Sequence, residues 1–133
     1  GKSKEEFDTF MAFLRPASRL RVTEDNVDTL LPWFDEYQVM PLKAECEDML
    51  LRMPCSVARL LQAKTVNLQR QYQRCLHEFS AQDFVAGFED LTVDLQVVRD
   101  LLPHVQKKAA SLGKVSALIG KLLEKPEALK QAL

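Results

Sequence analysis

The chain has 133 residues, of which 47% are apolar and 28% charged, and its formal net charge is −1. These values are typical of one globular domain and give no general attraction to nucleic acid or membranes. No apolar run approaches the ~18 residues of a membrane helix, and three cysteines without a C-x-x-C pair argue against a disulfide framework and a zinc site.

The N-terminal stretch GKSKEEF lacks the apolar centre of a secretory signal, so we expect an intracellular protein of the cytoplasm or nucleus. A start at Gly1 rather than Met suggests a processed chain or a fragment of a longer one.

The first predicted helix begins at a capping box of Ser3 and Glu6 and ends before Pro16. Its expected apolar stripe consists of Phe7, Phe10, Met11 and Leu14.

Two more predicted helices lie before Pro54. Thr23 is expected to cap the second helix, and Pro32 should bend it because proline removes a backbone donor. Pro41 is expected in the first turn of the third helix, where a missing N–H costs little. The stripes of the two helices are Val27, Leu30, Leu31 and Phe34, then Leu42, Cys46, Met49, Leu50 and Met53. Only residues 20–22 could form a strand, and three residues are too few to stand alone.

Beyond Pro54 the helical spacing continues to Leu102. Ser80 and Asp83 form another cap signal, and Pro103 is expected to interrupt the last helix of this stretch. The stripes are Val57, Leu60 and Leu61, then Leu68, Tyr72, Cys75, Leu76 and Phe79, then Phe84, Val85 and Phe88, and finally Leu91, Leu95, Val98 and Leu102.

Residues 104–133 are predicted to form a basic amphipathic helical tail. They carry six lysines against two glutamates and hence a charge of +4, which leaves −5 on the remainder. An apolar stripe lies between Gly113 and Pro126. No aromatic residue follows Phe88, whereas proteins that bind single strands usually add aromatic stacking platforms, so we expect no nucleic-acid partner.

The small number of glycines, four, and the absence of N-G or D-G turns argue against a sheet protein. The predicted class is therefore all-α, a bundle of about seven helices joined by short loops. Phe10, Leu31, Leu50 and Tyr72 lie on the stripes, and we expect each of them to be buried.

Enzyme chemistry has little support in the sequence. The phosphate-cradling, metalloprotease and nucleophile-elbow motifs are missing, and Cys75 and His77 point about 200° apart on a helix. A small thiol enzyme using Cys75 and His104 is the third and least favoured hypothesis. Acidic side chains cluster at Asp35-Glu36 and at Glu45, Glu47 and Asp48, where they are expected to form a solvated, partner-facing helix surface. We therefore predict no catalytic residue, no cofactor and no metal.

Three stretches resemble the BTB/POZ fold from its middle onward. EEFDTFMAFLRP is similar to a Phe-rich helix of that family, and RVTEDNVDTLLPWFDEYQVMPLKAECEDML is similar to its last helix pair. SVARLLQAKTVNLQRQYQRCLHEFSAQDF resembles the helical hairpin that begins a BACK-like region. The resemblance implies the C-terminal half of a BTB-like domain at residues 1–53, a BACK-like region at 54–103 and the tail at 104–133. DEYQV, residues 35–39, would then be the turn between two core helices.

The same resemblance implies a function. Proteins of this kind act as substrate adaptors for cullin-type ubiquitin ligases, and the alternative is a transcriptional or cytoskeletal scaffold. The cullin contact would use the first and third helices and the hairpin at 54–80, with Met11, Arg15, Glu45 and Asp48 as the partner-binding residues. Homo-oligomers would form only through an upstream BTB half. The chain departs from the family pattern at Arg15-Pro16-Ala17, where the family has an aromatic residue.

Overall fold

A computed structural model describes residues 3–108, and within these residues there are eight helices and no strand. The all-α prediction is confirmed, and the number of helices is close to the predicted seven. The chain divides after Pro54 into two compact units, whose described residues are 3–54 (unit 1) and 55–108 (unit 2). Among the described helices, none combines the length and apolarity needed to cross a membrane.

Unit 1 contains α1 (Lys4–Leu14), α2 (Val27–Glu36) and α3 (Met40–Leu50). Ser3 caps α1 as predicted, because its Oγ accepts a hydrogen bond from the backbone N–H of Glu6 at 3.2 Å. Arg15 has an extended backbone (ψ 141°), as expected of a residue before proline, and ends the helix.

The turn between α2 and α3 is the DEYQV stretch. Gln38 has a positive φ of 54°, and the next residue donates its backbone N–H to the carbonyl of Phe34 at 2.9 Å, which reverses the chain. An ion pair of 2.9 Å between Lys43 Nζ and Asp35 Oδ1 joins the two helices beside this turn. Pro41 lies in the first turn of α3 as predicted.

The start of α2 differs from the prediction. Thr23 does not cap the helix, which begins at Val27 after Asn26. Instead the Thr23 N–H donates to Asn26 Oδ1 at 2.7 Å, and the Asn26 N–H donates back to Thr23 Oγ1 at 3.3 Å. These reciprocal bonds form a turn of their own, because short polar side chains satisfy nearby backbone groups in competition with the helix.

Unit 2 contains α4 (Val57–Thr65), α5 (Gln69–Glu78), α6 (Ala81–Ala86), α7 (Phe88–Leu91) and α8 (Leu95–Lys108). Asn67 has a positive φ of 60° in the turn that folds α5 back onto α4. Ser80 and Asp83 form the predicted capping box, with bonds of 3.0 and 3.1 Å in the two directions.

The expectation that Pro103 interrupts the last helix is wrong. Pro103 lies inside α8, which continues to Lys108, so the described first residues of the predicted tail, 104–108, are helical. Its ring is exposed to solvent, where water can satisfy the carbonyl that loses its donor. The tail helix expected between Gly113 and Pro126 lies outside the described residues.

Each unit has its own core. The prediction that Phe10, Leu31, Leu50 and Tyr72 are buried is confirmed. The core of unit 1 also includes Val27, Leu30, Phe34 and Cys46, and that of unit 2 includes Leu60, Cys75, Phe84, Leu91, Val97, Leu101 and Val105.

Candidate interaction surface

Helix α1 is held in unit 1 by an aromatic cluster. The Phe10 ring lies 5.1 Å from the Trp33 ring, 5.8 Å from Phe34 and 5.4 Å from Tyr37, measured between centroids. The indole N–H of Trp33 donates to Glu6 Oε1 at 3.3 Å, which satisfies the polar edge of a buried ring. The cluster therefore fixes both the position and the rotation of α1.

A second apolar row on α1 is exposed. Phe7, Met11 and Leu14 have 45%, 40% and 40% of their surface open to solvent. Their spacing of four and three residues places them side by side, roughly a quarter-turn around the axis from the buried pair Phe10 and Phe13. We call these three residues the α1 row; it forms a continuous apolar strip, whereas scattered single apolar residues on a surface would need no explanation.

The α1 row corrects the predicted stripe. Of the four residues in the predicted stripe only Phe10 is buried. Phe13, which the prediction left off the stripe, is buried as well. Phe10 and Phe13 both pack against Phe34, but the sequence gives no sign of this, because the exposed Phe7 precedes Phe10 at the same spacing of three residues.

A shallow groove of about 590 Å³ lies elsewhere in unit 1, along α3 and the segment before α2. Glu45 and Asp48 both line it, together with Arg21, Arg52 and Met49. The Glu45 carboxylate is half-buried and accepts a hydrogen bond from the backbone N–H of Val22 at 3.3 Å. Glu45 therefore holds the preceding segment against α3, whereas Asp48 is exposed.

The four predicted partner-binding residues thus fall into two places. Met11 lies in the α1 row, and Arg15 is exposed directly after the end of α1. Glu45 and Asp48 lie together in the groove, whose lining includes neither Met11 nor Arg15. The sequence missed Phe7 and Leu14, which share the exposed surface of Met11.

The acidic cluster is less solvated than expected. Glu47 is 8% exposed and belongs to the buried residues of α3, so the prediction that it lies on a solvated, partner-facing surface is wrong for this residue. Asp35 is half-buried and paired with Lys43. Their positions show that helix phase, rather than charge alone, decides which carboxylates face water.

The thiols are protonated at neutral pH. Burial, with a smaller effect of Glu45, raises the pKa of Cys46 to about 12. Burial also raises the pKa of Cys75, whose sulfur lies 3.2 Å from that of Cys55. An activated nucleophile requires a shift in the opposite direction. The ring of His104, which the thiol-enzyme hypothesis pairs with Cys75, lies against the ring of His77, with centroids 4.6 Å apart.

No group of three or more His, Cys, Asp and Glu side chains suited to a metal ion occurs among residues 3–108. Comparisons with protein-family models, curated proteins and solved structures found no match to this chain.

Proposed function

We propose that this chain is a non-enzymatic protein-interaction module that serves as a substrate adaptor for a cullin-type ubiquitin ligase, and that it docks its partner through the α1 row. The observation that carries the proposal is the exposure of Phe7, Met11 and Leu14 on a helix whose neighbouring face is fixed by aromatic packing. A rigid helix loses little conformational entropy on binding, so the apolar area that it buries contributes to affinity.

The residue types suit such a contact. Methionine and aromatic side chains are enriched at protein interfaces, and the flexible Met11 side chain can adapt to an apolar pocket. Asp8 is exposed and precedes Met11 by three residues, so it lies beside the row on the helix surface. A basic side chain at the rim of the partner would therefore be attracted to this face and speed association.

The kind of partner rests on the resemblance of residues 5–88 to BTB-like and BACK-like regions. The assignment of residues 1–53 and 54–103 to these regions stays a prediction, as does the cullin. A transcriptional or cytoskeletal scaffold would use the same α1 row with a different protein. The raised pKa of Cys75 favours either binding function over the alternative of a thiol enzyme.

The proposal is tested by calorimetric titration of the purified chain with a cullin N-terminal domain. We expect a complex at concentrations of about tens of micromolar or below. Met11→Glu should weaken it about tenfold or more, which corresponds to about 1.4 kcal/mol, because a charge would be buried at the centre of the contact. Val93→Glu is the matched control, since Val93 is 79% exposed in unit 2 and the same charge there should leave the affinity unchanged.

Absence of heat and of a complex at these concentrations would reject the cullin-adaptor function for this chain. Equal affinity of the wild type and Met11→Glu would instead reject the α1 row as the docking surface.

A further inference from the structure

Two thiols of unit 2 lie in contact although 20 residues separate them in the chain. Cys55 Sγ is 3.2 Å from Cys75 Sγ. Cys55 lies in the non-helical segment just before α4, and Cys75 lies within α5. A disulfide bond is about 2.05 Å long, so the sulfurs must approach by little more than about 1 Å. The segment before α4 can supply this movement without breaking a helix.

We propose that Cys55 and Cys75 form a reversible oxidation site, which closes into an intramolecular disulfide on reaction with a low-molecular-weight disulfide of the glutathione class. The inference is independent of the function proposed above, because it concerns only residues of unit 2.

Exposure and charge give the two thiols different parts in the reaction. Cys55 is half-exposed and Cys75 is buried, so an external disulfide reaches Cys55 first. Burial, followed by hydrogen bonds with Cys75 and Glu78, raises the pKa of Cys55 to about 12. Arg74 and Arg59 partly offset the effect of burial on the pKa of Cys75. Both thiols are thus protonated at neutral pH, and uncatalysed oxidation is slow because the thiolate is the attacking species.

The reaction balances as two exchanges. The Cys55 thiolate attacks one sulfur of the small disulfide, whose S–S bond breaks and releases a thiolate that takes up a proton. The Cys75 thiolate then attacks Cys55 Sγ in the mixed disulfide and releases the second small thiol. The protein loses two protons and two electrons, and the small disulfide gains both and becomes two thiols.

The disulfide between Cys55 and Cys75 would stabilise the packing of α4 and α5. It closes a loop that contains all of α4 and residues 69–75 of α5, and such a loop restricts the unfolded chain. The oxidised form is therefore expected to melt several °C higher than the reduced form, and a dithiol reductant should reverse the shift.

The test uses the full chain, oxidised glutathione and alkylation of the remaining thiols in denaturant. We expect the oxidised protein to lose the mass of two hydrogens and to alkylate at one cysteine of three. Trypsin should yield peptide 53–59 joined to peptide 75–99, because arginines border both of them. The Cys46→Ser variant is the matched control and should still form this linked pair, since Cys46 is buried in unit 1.

Cys55→Ser should abolish the mass loss, and because Cys55 is half-exposed the variant should still fold, which circular dichroism would verify. The proposal would be overturned by alkylation of all three cysteines after oxidation. It would equally be overturned by a stable glutathione adduct on Cys55 without the linked peptides, or by a mass loss that persists in Cys55→Ser.

Discussion

Replacement of Phe10 by alanine tests how α1 is held. The Phe10 ring is buried and contacts three other rings, those of Trp33, Phe34 and Tyr37. Removal of a buried phenylalanine ring costs about 3–5 kcal/mol through lost transfer energy and a residual cavity. Phe10→Leu keeps most of the apolar volume and should cost less, near the ~0.5–1.5 kcal/mol of an aromatic pair. Leu14→Ala, on the exposed row, should change stability by less than about 0.5 kcal/mol.

Trp33 provides the assay, because it is the only tryptophan of the chain and is 4% exposed. Denaturant unfolding followed by its emission reports on unit 1, and in Phe10→Ala the emission should shift to the red even before unfolding. If Phe10→Ala lowered the free energy of unfolding by less than about 1 kcal/mol and left the emission unchanged, the aromatic cluster would not anchor α1 and the reasoning would be refuted.

Two further predictions concern unit 2. Gly87→Ala should lower the free energy of unfolding, measured with denaturant, by about 1–3 kcal/mol, because a Cβ there would collide with the short branched side chain of Val57. A second substitution, Val57→Ala, should relieve this collision and restore part of the loss. Equal stability of Gly87→Ala and wild type would contradict the prediction. Burial and the hydrogen bond to Asp100 raise the pKa of Tyr72 above its ordinary value of 10, so the folded state holds this proton more tightly. The contribution of this proton to the free energy of unfolding is fully present below about pH 10 and is lost as the pH rises further. Above pH 10, the free energy of unfolding of Tyr72→Phe should therefore depend less on pH than that of wild type.

The local signals in the sequence predicted the helices well. Ser3, Pro41 and the Ser80–Asp83 pair act on backbone groups within one turn, so their positions alone determine where a helix begins. The error at Pro103 has a physical reason. A proline on the exposed side of a helix costs less than one facing the core, and the sequence pattern does not weigh that difference.

The face on which α1 packs could not be predicted with the same success. Its apolar residues cover two neighbouring faces, and periodicity does not show which of them meets α2. The aromatic contacts of Phe10 decide the matter, and they depend on tertiary packing. The same holds for Cys55 and Cys75, whose separation along the chain gives no sign that the fold brings their sulfurs together.

The four methionines allow the most direct test of the docking surface. Met11 lies in the α1 row and Met49 lines the groove, so methyl-labelled methionine resonances distinguish these two places in one NMR titration. On addition of a cullin N-terminal domain, the Met11 methyl signal should shift or broaden while that of Met49 changes less. An unchanged Met11 signal in the presence of a complex, or a response confined to Met49, would contradict the claim that this protein binds its partner through the α1 row.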